Sequence, residues 1–457
     1  MKLSFHGAVH EVTGSCILLN VKDADGVDRQ FLFDCGMFQG EKETTEMNLQ
    51  PFGFDPKAID AVFVTHPHAD HTGRLPKLIN EGYTGPITMT RPCRALTQIV
   101  LEDAYHIMTE NAERSGYPVL YNREDLDHLF TRCTGVNYHE EILAAPGITV
   151  MFHDAGHVLG SAYISVEAEG KHVIFSGDIG NDDVPILPDT EPISKADIVI
   201  CESTYGHRVH EPPVERQQKL RTAIEQISKS GGVLMIPSFS IERTQELLYA
   251  MDQILLNELN TNIQIFLDSP MAIRATEVYR HYKEFLMFDA PILSEPDRDF
   301  FSFPNLRETL TIDESKTIND APKPKVIIAG SGMMSGGRIM HHLTRYLPDP
   351  NSALLIIGYQ GRGTLGRRIY EGAKSVKIFR QKVDVRASVS AIGAFSAHGD
   401  MNKLTRWLQP EEGPVPKQIY LVHGDPEAKE VFATHLRHEL KTDIVIPELN
   451  QKYEIDP

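Results

Sequence analysis

The sequence predicts a layered α/β protein, and three observations carry the prediction. Short apolar runs rich in β-branched residues recur along the chain, each stopping at a polar or glycine-containing turn. Between several of them lie longer stretches with apolar residues three and four apart, the spacing of one helix face. Ligand-type side chains stand where apolar runs stop, which is where the crevice of a layered α/β fold opens and where residues distant in sequence can converge.

Taken in order, "RQFLFDCG" ends at Asp34, "AVFVTHPHADH" at His66 to His71, "VMFHDAGHVLGS" leads to His157, "HVIFSGDIG" ends at Asp178 and "DIVICEST" at Glu202. The helical spacing is plainest in "PCRALTQIVLEDAYHIMTENAERSG" and "IERTQELLYAMDQILLNEL". Further on, "GVLMIPSFS", "NIQIFLDSP", "KVIIAGSGMMSGG", "ALLIIGYQGRG" and "QIYLVHGD" repeat the strand form. Histidine ligand motifs are absent between about residues 206 and 395 and resume with "FSAHGD" and "YLVHGD". One domain inserted into another produces this pattern, with a first part at 1–205, an insert at 206–395 and a second part at 396–457.

The chain has 457 residues, of which 41% are hydrophobic and 24% charged, without low-complexity tracts, so it is expected to fold into about two domains. No uncharged run approaches the ~18 residues of a membrane span, and nothing resembles an export signal. The five cysteines, Cys16, Cys35, Cys93, Cys133 and Cys201, form no C-x-x-C pair, which argues against a disulfide framework or a thiolate zinc site. A cytoplasmic protein with no membrane partner is expected. The formal charge of −18 argues against coating nucleic acid by charge alone, although bound divalent cations would offset part of it locally.

Residues 65 to 73, "THPHADHTG", bring His66, His68, Asp70 and His71 to the end of an apolar run. Neutral imidazole nitrogen with anionic carboxylate oxygen suits Zn, Mn or Fe(II). A solvated loop or a terminal tag does not follow a buried strand, so the cluster reads as a metal site. His6 and His10 read as structural or solvent-facing.

With these motifs in order, the chain resembles the metallo-β-lactamase superfamily, and within it the β-CASP nucleases. "HPHADH" is similar to the superfamily's H-x-H-x-D-H, "AGHVLGS" to its next histidine motif and "SGDIG" to its bridging aspartate; "CEST", "SAHGD" and "LVHGD" resemble motifs A, B and C of the β-CASP branch. The resemblance implies an αββα sandwich with an inserted α/β β-CASP domain. It implies two zinc ions, one held by His66, His68, His157 and Asp178, the other by Asp70, His71, Asp178 and His423. The same ligands accept manganese. Two metals can share a hydroxide that attacks a phosphodiester. Asp34 would orient an imidazole, and Glu202 would keep His398 protonated as the acid for the leaving oxygen. Without the resemblance, His398 reads as a loop histidine satisfied by backbone.

The histidine at motif C points to the branch that acts on single-stranded RNA rather than DNA. The absence of an N-terminal extension and the short tail after His423 point away from the archaeal termination type and RNase J, toward compact bacterial ribonucleases and the endonuclease core of pre-mRNA cleavage. The resemblance makes the insert a wall of an RNA cleft. "AGSGMMSGGR", with Ser331, Gly332, Met333, Ser335 and Arg338, is its candidate phosphate-binding turn, although a plain tight loop reads equally well from composition. Ser238, Ser240, Arg243, Ser269 and Arg274 are further candidates, while Arg362, Arg367 and Arg368 read as RNA contacts or salt-bridged scaffold alike. The expected activity is a metal-dependent ribonuclease, endonucleolytic with exonuclease action also open, and a homo-oligomer is allowed. Two alternatives are a hydrolase of a small ester, lactam or thioester, and a catalytically silent RNA-binding subunit of a processing complex.

Overall fold

The computed structural model describes residues 1–40, 46–210, 214–257, 263–287, 299–358, 360–361, 363–392, 397–411 and 413–455. Arg362 and the expected boundary at 395–396 lie outside them. The chain divides into two compact units, Met1–Val209 with His398–Pro457, and His210–Ala397.

The first unit contains two seven-stranded sheets among the described residues. One runs in the order Lys452–Glu454, Lys2–Phe5, Ile17–Lys22, Asp28–Phe33, Ala61–Phe63, Ile87–Thr90, Cys133–Val136. The other runs Asp443–Val445, Gln418–Val422, Ile198–Glu202, Lys171–Phe175, Ala162–Ala168, Ile148–Asp154, Ile142–Ala145. Their facing sides share one apolar core, in which Phe33 of the first sheet stacks on Phe175 of the second at 3.6 Å between ring centroids. Alternation puts it there: Ile148, Val150, Phe152 and Asp154 are buried while the residues between them are partly exposed. A second core lies on the outer side of the first sheet, where Cys93, Leu101, Leu126 and Leu129 of the helices Arg91–Ser115 and Arg123–Arg132 pack. A third lies outside the other sheet, under Leu404 and Trp407 of Met401–Trp407 and Phe432 and Leu436 of Pro426–Leu440. Helix, sheet, sheet, helix is thus the layer order of this unit.

Local chemistry sets the helix ends. Thr90 accepts from the Cys93 N–H at the start of Arg91–Ser115, Pro92 sits in its first turn, and Gly116 ends it at φ 68. Asn122 and Asp125 form a reciprocal capping box at the start of Arg123–Arg132.

The second unit is built on a six-stranded sheet in the order Leu306–Glu308, Gln264–Asp268, Lys325–Ala329, Val233–Pro237, Ala353–Ile356, Ser388–Ala391. Every pairing in it is parallel. Its central strands Val233–Pro237 and Lys325–Ala329 are buried throughout, as strands covered on both faces must be. No helix among the described residues is long and apolar enough to cross a membrane. The five cysteines are buried and free.

Candidate metal centre

The ligand-type residues of the first unit lie just beyond the ends of its strands. Ala61–Phe63 ends two residues before Thr65, and the chain then passes through His66 and His68 into the single helical turn Ala69–Thr72. That turn is pinned from outside: the Ser15 N–H donates to the Asp70 carbonyl at 2.8 Å, the Cys35 N–H to the His71 carbonyl at 2.8 Å, and the Met37 N–H to the Ala69 carbonyl at 2.8 Å. Gly36 makes this approach feasible, because a Cβ there would fall 1.5 Å from the Asp70 carbonyl oxygen. His157 sits in the turn that follows Ile148–Asp154, its N–H donating to Ser161 Oγ at 3.0 Å. Asp178 follows Lys171–Phe175 through Gly177 at φ 53. His423 follows Gln418–Val422, takes φ 51 and donates its N–H to the Ala8 carbonyl at 2.7 Å.

These turns bring four residues into one group, His66, His68, His157 and Asp178, and three into a second, Asp70, His71 and His423. In the first group His68 Nδ1 lies 3.1 Å from His66 Nε2 and 3.3 Å from His157 Nε2. Asp178 Oδ2 lies 3.3 Å from His66 Nε2 and 3.6 Å from His157 Nε2. In the second, His423 Nε2 is 3.1 Å from His71 Nε2 and 3.3 Å from Asp70 Oδ2. Asp178 turns its other oxygen, Oδ1, to this group, 3.4 Å from His71 Nε2.

The residues fit a pair of divalent cations. Donors bound at ~2.1 Å to one tetrahedral ion stand roughly 3.4 Å apart, the separation found in both groups. Asp178 Oδ1 is buried with no hydrogen-bond partner, a cost that an electron-pair acceptor would relieve. Burial holds His66 below its ordinary pKa, drives His68 down to about 3, and keeps His157 well below the usual range with help from His398, so these imidazoles present bare nitrogens. His71 is also penalised by burial, but Asp178 and Asp34 outweigh this and raise it well above the ordinary value, giving it a proton that a cation would displace. For Asp178, burial pushes the other way, yet the neighbouring imidazoles, His423 and His71 foremost, hold it well below the carboxylate range.

Asp34, at φ 58 just after Asp28–Phe33, holds His71 from behind: its Oδ2 accepts from His71 Nδ1 at 2.7 Å. It also accepts from the Thr65 N–H at 2.8 Å and the Thr65 hydroxyl at 2.9 Å. His398 stands at the edge of the first group, its Nδ1 3.2 Å from both oxygens of Glu202 and 3.8 Å from Asp178 Oδ2. Glu202 is fully buried and accepts from the Ile179 N–H at 2.7 Å. Burial disfavours the His398 cation, but Glu202 and Asp178 prevail and hold its pKa up to about 9.

A buried two-group constellation of this kind, on this layer order, decides the comparison with known proteins. The metallo-β-lactamase superfamily model matches residues 11–228, the β-CASP domain model residues 244–369, and a model described as the Zn-dependent metallo-hydrolase RNA specificity domain residues 382–447. The chain is similar to Ribonuclease TTHA0252 of Thermus thermophilus, at 39% identity over 93% of this chain and 94% of the relative. The chain belongs to the β-CASP branch of the metallo-β-lactamase superfamily. It is also similar to an RNase J-like protein of Methanocaldococcus jannaschii, at 32% identity over 97% of both chains. A third relative is the cleavage and polyadenylation specificity factor subunit 3 of Dictyostelium discoideum, at 29% identity over 97% of this chain and 56% of that one. A crystal structure of a protein of unknown function from Enterococcus faecalis V583 shares the fold with TM-score 0.57 and 12% identity, covering 99% of both chains.

In this β-CASP chain, the residues expected to touch substrate all lie in the second unit and are placed unevenly. Ser240 and Ser269 bring their hydroxyls 3.3 Å apart beside Gly330, where a Cβ would lie 3.3 Å from Ser269 Oγ. Ser269 also caps the helix Pro270–His281, on which Arg274 is exposed. Gly332 is buried against Phe239, Ser331 and Met333 are half-buried, and Ser335 is exposed. Two of the arginines are engaged within the unit. Arg243 is buried, its guanidinium 2.5 Å from Glu246 and 3.1 Å from Glu242, so its charge is neutralised inside the unit. Arg338 donates to Asp268 Oδ1 and to the Thr309 and Leu310 carbonyls, each at 2.8 Å, and so ties the glycine turn to neighbouring strand ends. Arg367 pairs with Glu371 across one helical turn at 2.7 Å. His6 is buried between Ser4 and Asn450, while His10 pairs with Glu448 at the surface.

Some supporting residues had no signal in the sequence. Thr65 Oγ1 lies 3.1 Å from His66 Nδ1, and Thr204 Oγ1 lies 3.1 Å from His423 Nδ1, each fixing a ring from its outer side. A threonine beside a ligand could have been suspected for Thr65, but Thr204 lies 219 positions from His423.

Proposed function

We propose that the chain is a ribonuclease that hydrolyses phosphodiester bonds of single-stranded RNA with two divalent cations, zinc or manganese. One observation carries the reading: His398, made protonatable by Glu202, stands 3.8 Å from Asp178, the aspartate whose two oxygens face the two ligand groups. His66, His68, His157 and Asp178 would hold one ion; Asp70, His71, His423 and Asp178 the other. Ions there would supply Lewis acidity toward a phosphoryl oxygen and acidify water into the neutral range.

The chain's own residues do the rest. Glu202 accepts a hydrogen bond from the Nδ1–H of His398 and keeps the ring cationic, and the second ring nitrogen delivers a proton to the departing oxygen. Asp34 fixes the tautomer of His71, with Nδ1 protonated and Nε2 turned to the ion. In the second unit, the hydroxyls of Ser240 and Ser269 and the backbone at Gly330 to Gly332 would receive a phosphate oxygen, at a place that a Cβ on Gly330 would crowd to 3.3 Å from Ser269 Oγ. Capture by hydroxyls and amides suits a chain of charge −18 better than a basic surface would. Support also comes from the relatives named ribonuclease and from the RNA specificity description of the region at 382–447.

The test incubates zinc-loaded and manganese-loaded protein with end-labelled single-stranded RNA, matched DNA and a chromogenic lactam. RNA cleavage is expected, with fragment lengths separating internal cuts from trimming; turnover of the lactam alone would refute the reading. His398→Ala should keep both ions and RNA binding while cleaving about 10²–10⁴-fold more slowly.

A further inference from the structure

A further group of ligand-type side chains lies in the first unit, apart from those around Asp178. His139, His153 and Glu191 bring one donor atom each within 4.8 Å of one another. His153 is on the strand Ile148–Asp154, with its ring stacked on Tyr163 of the neighbouring strand at 4.6 Å and 7° between planes. Its Nε2 lies 2.9 Å from Ser165 Oγ. With ring plane and one nitrogen fixed, Nδ1 faces Glu191 Oε2 at 3.6 Å, beyond hydrogen-bond reach. The other carboxylate oxygen, Oε1, lies 3.1 Å from His139 Nε2.

The backbone around the group is equally constrained. The Glu191 N–H donates to the Asp154 carbonyl at 3.0 Å, and its carbonyl accepts from Trp407 Nε1 at 3.1 Å. The His139 N–H donates to the Phe152 carbonyl at 2.9 Å, and His139 takes φ 61, a conformation that non-glycine residues seldom adopt. The His153 ring is held in place independently of Glu191.

We propose that His139, His153 and Glu191 form a third metal site, for one divalent transition-metal ion such as Zn²⁺. Two imidazoles and one carboxylate are a donor set that such ions favour over calcium or magnesium, and three protein ligands leave a position for water at this half-exposed place. The Ser165 contact supplies the outer partner that ligating histidines commonly have. The ion's role is to fasten. Thr190, next to Glu191, donates its hydroxyl to the Ala155 carbonyl at 2.9 Å, and Ala155 opens the turn that carries His157. A metal joining Glu191 to the strand before that turn stiffens the support of a catalytic-centre ligand from outside.

The experiment dialyses the full chain and its variants His139→Ala and Glu191→Gln against buffered Zn²⁺ and counts bound zinc by elemental analysis, with thermal unfolding in parallel. His139 is exposed, and the unfolding transition reports whether each variant keeps its fold. The expected result is one equivalent of zinc fewer in each variant than in the parent, together with a smaller rise in Tm on adding Zn²⁺. An equal zinc count in all three proteins overturns the proposal. The count does not depend on RNA cleavage, so it stands or falls separately from the ribonuclease reading.

Discussion

Replacing Glu202 by glutamine is the sharpest test of the His398 assignment. The substitution keeps the volume of a fully buried side chain and an oxygen for the Ile179 N–H, and replaces the charged oxygen facing His398 and the Thr204 N–H by an amide nitrogen. That charge, with Asp178, lifts the imidazole from its ordinary 6.5 to about 9. If Glu202 supplies most of the lift, the pKa falls by up to about 2.5 units, or ~3.4 kcal/mol of proton affinity. At about pH 8 the protonated fraction then drops from roughly 0.9 to roughly 0.03, a ~30-fold loss of loaded acid. Because the acid form is the active one, a raised pKa extends activity to higher pH. The alkaline limb of the kcat profile should therefore move down in the variant, while zinc content and the acidic limb stay put. Single-turnover cleavage of labelled RNA over a pH series measures this. An unmoved alkaline limb at full metal content would refute the pairing of His398 with Glu202 as the source of the proton.

Asp34→Asn should weaken zinc binding about 10–100-fold by releasing His71, read by competition with a chelator, and unchanged affinity would remove Asp34 from the support of the site. Gly36→Ala should push the Asp70 backbone, since the new Cβ starts 1.5 Å from its carbonyl oxygen, and lower both Tm and zinc content. Asp154 is raised to about 8, chiefly by burial. A folded-state pKa above the unfolded one gives stability that is present in acid and lost as pH rises through about 8, so urea midpoints of the parent should fall over that range. Asp154→Asn should flatten this decline, and parallel curves for the two proteins would contradict it.

How much was legible in the sequence follows from how far apart the interacting atoms lie. His66, His68, Asp70 and His71 announce themselves because one strand end and one helical turn carry all four. The strand ends at Asp34, Asp178, Glu202 and His423 were readable from apolar runs that stop. Which charges cancel was not. Arg243 and Arg338 looked available because their local sequence holds serines and glycines, yet Asp268, which engages Arg338, sits 70 positions earlier. Glu246 is only one helical turn beyond Arg243, but burial of the pair could not be read from charge alone. The group at His139, His153 and Glu191 was invisible for the same reason, being three unremarkable residues joined only by strand order and one turn.

His71 and His423 are separated by 352 positions, yet their Nε2 atoms lie 3.1 Å apart, because Gln418–Val422 pairs with Ile198–Glu202 inside the sheet. During synthesis from the amino end, the cluster at His66 to His71 emerges long before the strand that delivers His423. A nascent chain therefore carries Asp70 and His71 without their third partner through most of its translation, and that ligand group is complete only once the late strand has docked.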